Sequence, residues 1–60
     1  MKFDADLLRH DLEKYTETAL LVGLPCEAES VEDVVNADEA QLVDYAANLG
    51  WDLGKYVEEV

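Results

Sequence analysis

Sixty residues, fifteen of them acidic and only four basic, give this chain a formal net charge of −11, although half of its residues are apolar. The charge disfavours nucleic acid and anionic membrane and favours basic surfaces, while the apolar half excludes the low-hydrophobicity polyanion that stays disordered. One cysteine and one histidine leave no internal disulfide and no four-ligand zinc site, so the chain must rely on tight packing or on association.

The first element in chain order is the clearest. Leu8, Leu12, Tyr15, Ala19 and Val22 recur at alternating steps of four and three, which predicts a helix from about residue 4 to residue 22 with that stripe buried. Asp4 and Asp6 stand at its positive end, where acids are favoured. Gly23 and Pro25 end it, because glycine takes the conformation just past a helix and proline cannot continue one. Leu20 and Leu21 lie off the stripe, so the last turns are apolar nearly all round. Burial by the later helices is the first expectation for this end, and contact with a second chain is the alternative.

A loop over residues 23–29 leads to Ser30, which with Asp33 makes a weak capping pattern for a short helix carrying Val31, Val34 and Val35. The valines are β-branched, but Glu32 and Asp33 interrupt the alternation that a strand requires. Asp38 and Gln41 repeat the capping pattern before a helix whose face is Leu42, Ala46 and Leu49, with Val43 and Ala47 beside it. Gly50 ends that helix, and Asp52 opens a last short one with Leu53, Tyr56, Val57 and Val60. The expected fold is all-α: one helical domain over residues 1–60, a compact three- or four-helix mini-bundle.

Asn48-Leu49-Gly50-Trp51-Asp52-Leu53 resembles the helix–turn–helix junction of ubiquitin-associated-like domains, over the final third of the chain only. Local physics accounts for it without kinship: Gly50 terminates, Asp52 caps and Trp51 packs across the corner. Acyl carrier proteins are also small, acidic and helical, but Glu29-Ser30-Val31 lacks their Asp-Ser-Leu attachment context.

No constellation carries catalysis. Cys26 sits beside Glu27 with no basic neighbour in sequence, which raises a thiol's pKa rather than activating it, and Ser30 has only His10 to serve as a base. Asp6, His10, Glu13 and Glu17 line one face of the first helix. They read as a solvated polar face on which His10 pairs loosely with Asp6, rather than as a metal site. No enzyme, cofactor or metal is expected. The lone cysteine fits a reducing, cytoplasmic setting, Met1-Lys2-Phe3-Asp4 lacks a signal peptide's pattern, and the apolar cluster over residues 19–26 is too short to span a bilayer.

The remaining signal is charge. Between Lys14 and Lys55 there is no basic residue, and Glu27, Glu29, Glu32, Asp33, Glu39 and Asp44 are the candidate partner-binding surface. The expected function is that of a small acidic, non-enzymatic binding module for a basic protein surface. One form would be a phage- or mobile-element-type inhibitor that mimics nucleic-acid charge to block a nucleic-acid-binding partner, with no direct nucleic-acid or membrane binding of its own. The alternative is a structural or regulatory homodimer joined through Leu20, Leu21 and Leu24, its acidity only solubilising.

Overall fold

Each helix start is an acid accepting a backbone N–H, and the two longer helices end in glycine. Asp4 Oδ1 accepts from Leu7 N at 3.0 Å and opens α1 (Ala5–Val22). Asp33 Oδ2 accepts from Glu29 N at 2.9 Å and Ser30 N at 3.2 Å at the start of α2 (Val31–Val35). At α3 (Glu39–Asn48) the box is reciprocal: Asp38 Oδ1 accepts from Gln41 N at 2.9 Å and Gln41 Oε1 from Asp38 N at 3.2 Å. Asp52 accepts from Gly54 N at 2.9 Å and opens a 3-10 turn (Leu53–Tyr56). Such caps contribute roughly 0.5–2 kcal/mol each. The computed structural model describes residues 2–58.

The three helices and the turn form an all-α fold. A two-residue antiparallel pair, β1 (Lys2–Phe3) with β2 (Val57–Glu58), sets Lys2 opposite Glu58 and Phe3 opposite Val57. Beside it Asp4 N donates to Tyr56 O at 2.6 Å, so the start of α1 is tied to the end of the 3-10 turn. This pairing replaces the expected last helix: Leu53 and Tyr56 lie in the 3-10 turn, Val57 continues into an extended strand, and Val60 lies outside the described residues.

One face of α1 is the spine. Leu8, Leu12, Thr16 and Ala19 are buried on it, and Leu8 and Leu12 form one cluster with Val34 of α2, Leu42 and Ala46 of α3, Ala28 and Ala37 of the connecting loops, and Tyr56. Burying a leucine of this kind is worth about 1.5–3 kcal/mol, and the small alanines let the elements approach closely. The stripe differs from the expected one at two places. Thr16 is buried where Tyr15 was expected, and Val22 is exposed. Tyr15 is half-buried at the edge, where its ring meets Trp51 edge-on at 5.6 Å and its hydroxyl donates to Pro25 O at 2.7 Å. Thr16 Oγ1 lies 3.7 Å from Cys26 Sγ, which is also 3.3 Å from Ala28 O, so the thiol proton has an acceptor on either side.

At the end of α3 Gly50 has φ +78°, and the freed amides bond backwards: Gly50 N to Ala47 O and Trp51 N to Ala46 O, both at 3.0 Å. Nothing lies within 4 Å of where a Cβ on Gly50 would stand. The need for glycine is therefore conformational and not steric. Gly50→Ala should lower the unfolding free energy by about 1–2 kcal/mol in urea titration. A chemically synthesised chain with D-alanine at position 50, which prefers positive φ, should recover that loss.

Candidate functional site

All six acids expected to form a partner-binding surface are exposed, but they divide into two groups by what their carboxylates do. Glu27, in the loop after α1, accepts from Asn48 Nδ2 at 2.8 Å and ties the loop to the end of α3. Asp33 caps α2. The carboxylates of Glu29, Glu32, Glu39 and Asp44 accept no hydrogen bond among the described residues, so their charge is spent on nothing internal. Nor do they share one plane. Glu29 and Glu32 flank the start of α2, whereas Glu39 and Asp44 stand five residues apart on α3, about 140° round its axis. The acidic field is spread over the surface and is not a single patch.

The cations are few and local. Arg9 is half-buried; its guanidinium donates to Ala37 O at 2.9 Å, just beyond the end of α2, and reaches Asp6 Oδ1 at 3.5 Å. It thereby clamps α1 to α2 and places a positive charge at the negative end of the shorter helix. Asp6 pairs with Arg9 in this way and not with His10, and Arg9–Asp6 is the one ion pair among the described residues. Asp6, His10 and Glu17 are exposed, Glu13 is half-buried, and no cluster of three metal-ligating side chains occurs among the described residues.

Lys14 and Lys55 line a shallow cleft of about 340 Å³ where α1 meets the Trp51 corner and the 3-10 turn. Asp11 and Asp52 line it too, so the cleft has no net charge and interrupts the acidic surface. Beneath it the hydroxyl of Tyr56 donates to Asp11 Oδ2 at 2.7 Å.

The expected self-association residues Leu20, Leu21 and Leu24 are all exposed, and Val22 between them is too. Leu21 is 81% exposed, Val22 65%, Leu20 50% and Leu24 47%. Burial of this end by the later helices, the first expectation, does not occur: the core gathers around Leu8 and Leu12, and the last turn of α1 extends past it. Leu21 follows Glu17 by about one turn on the face that carries Asp6, His10 and Glu13, so its exposure was recoverable from helical spacing. The role of Arg9 and the Tyr56–Asp11 bond carried no such signal.

No described helix is long and apolar enough to cross a membrane. No family model matches the chain, and neither a curated protein nor a solved structure matches it.

Two outcomes follow from these charges. With a formal net charge of −11 and a single ion pair among the described residues, self-repulsion should be relieved by salt, because the screening length falls to about 3 Å at 1 M. The melting temperature should be higher in 1 M sodium chloride than in dilute buffer. The second concerns Tyr56, whose phenol is pushed up to about 12 from its ordinary value near 10, first by burial and then by the bond to, and charge of, Asp11. Between those two values the folded chain keeps a proton that the unfolded chain has lost, so this contribution is intact below pH ~10 and declines as pH rises towards ~12. Tyr56→Phe should cost about 1–2 kcal/mol at neutral pH, and the gap between the two proteins should narrow above pH ~10.

Proposed function

We propose that this helical mini-bundle is a non-enzymatic, cytoplasmic binding module whose exposed carboxylates engage a basic surface on a partner protein. Its most concrete form is an inhibitor of phage or mobile-element type that covers a nucleic-acid-binding groove. The observation that carries the reading is the idleness of Glu29, Glu32, Glu39 and Asp44: they are exposed, unbonded among the described residues, and lie in a stretch without a basic residue. Uncompensated like charge costs a marginal fold some stability, and an opposite surface both recovers that cost and steers encounter. Glu27 and Asp33 add to the field from their structural places. The cleft beside Lys14 offers the acidic surface a neutral border.

The test is charge reversal confined to the idle acids. A partner captured on the immobilised protein in dilute buffer and identified by mass should lose affinity by a factor on the order of ten or more in high salt. The variant carrying Glu29→Lys, Glu32→Lys, Glu39→Lys and Asp44→Lys should lose it similarly while staying folded by circular dichroism, because its smaller net charge offsets the lysines placed in the first turns of α2 and α3. Asp33 and Asp38 are kept, since their loss would uncap α2 and α3. A partner whose affinity ignores both salt and reversal overturns the reading.

A further inference from the structure

The last turn of α1 joins three features that call for the same complement. Its apolar side chains are uncovered: Leu20, Leu21 and Val22 point outward around the helix end, and Leu24 follows in the loop. Its border is acidic, with Glu17 one turn before Leu20 and Leu21 and Glu27 three residues after Leu24, both exposed. Its backbone is negative, because the carbonyl end of an 18-residue helix carries no basic residue in its last turn. An apolar centre with a charged border is the usual anatomy of a protein interface.

We infer that the C-terminal turn of α1 and the Leu24 loop form a docking surface for a basic amphipathic helix of a partner protein. The inference rests on the binding reading above and adds to its idle acids an apolar contact surface and a partner class. Leucines on the incoming helix cover Leu20, Leu21 and Leu24, while its lysines or arginines meet Glu17, Glu27 and the free carbonyl end of α1. Charge complementarity selects this occupant. A second copy would bring another Glu17 and another net charge of −11 to the same place, and anionic lipid or nucleic acid would be repelled. Burial of Leu21, the most exposed of the four, makes it the anchor.

The probe is a synthetic helix with one leucine face and one lysine face, compared with a shuffled peptide of identical composition that has no apolar face. Fluorescence anisotropy should show the amphipathic peptide binding about tenfold tighter than the shuffled one, and Leu21→Ser with Leu24→Ser should remove that advantage. Val35→Ser, at an exposed valine of α2, should leave it within about twofold. Circular dichroism should show all variants folded, since none touches the core; if the double variant melts early, Leu21→Ser alone serves. Equal binding of both peptides would overturn this inference while sparing the charge reading, since attraction would then need no apolar centre. Binding unchanged in the leucine variants, or absent for both peptides, overturns it as well, whatever the reversal of Glu29, Glu32, Glu39 and Asp44 shows with the captured partner. A scattering mass of two chains that falls to one in Leu21→Ser would assign the surface to a second copy and overturn it too.

Discussion

The rest of the molecule depends on one face of α1. Leu8, Leu12, Thr16 and Ala19 supply four of the ten buried side chains among the described residues, and α2, α3 and the 3-10 turn all find their places against that face. An 18-residue helix is about 27 Å long, most of the 38 Å long axis of the molecule. The elements that follow it can wrap one side of such a rod but not both, and they do not reach its far end. The polar row through His10 and Glu17 is thus left to solvent, and so is the apolar turn at Leu21. The buried face and the exposed leucines are two consequences of the same shortage of covering chain.

Acidity serves two purposes that composition alone does not separate. Asp4, Asp33, Asp38 and Asp52 each accept a backbone N–H at the start of a helix or turn, where negative charge is also favoured by the helix dipole. These acids hold the fold together. Glu29, Glu32, Glu39 and Asp44 accept no hydrogen bond among the described residues, and although Glu32 and Glu39 also sit in first turns, no cap depends on these four, which is why they, and not the acids as a class, bear on function. The few cations answer local needs: Arg9 satisfies a carbonyl beyond α2, and Lys14 and Lys55 balance the aspartates around the Trp51 corner.

Features set by neighbours in the chain were legible in the sequence. The start of α1 at Asp4, its end at Gly23, the Asp38–Gln41 box and the Gly50 stop all depend on residues within a few positions of one another, and the structure has each of them. Features set by distant partners were not. Arg9 meets a carbonyl 28 residues away and Tyr56 meets a carboxylate 45 residues away, and neither pairing leaves a periodic trace. Val57 shows the same limit, since its helical spacing was overridden by pairing with Phe3 at the opposite end of the chain. Tyr15 and Thr16 were confused for a smaller reason. Both lie near the rim of the apolar stripe, and the larger ring does better at the edge, where it reaches Trp51 and leaves its hydroxyl to Pro25.

The surface divides along the same line. Exposure of Glu27, Glu29, Glu32, Asp33, Glu39 and Asp44 follows from charge alone, so the sequence identified them together. The capping pattern with Ser30 already set Asp33 apart in the sequence, whereas only the folded arrangement separates the tie at Glu27 from the idle remainder. For the leucines the inference runs the other way. Apolar residues are expected inside, and Leu20, Leu21 and Leu24 look like core until the reach of the later helices is known. Once that reach is known, their exposure near the exposed carboxylates of Glu17 and Glu27 becomes the most specific chemical statement the surface makes: apolar contact and negative charge are offered together, at a helix end already negative. A partner that supplied only positive charge would leave the leucines wet, and one that supplied only apolar surface would bury carboxylates without a counterion. Both costs vanish together only for a surface that carries both.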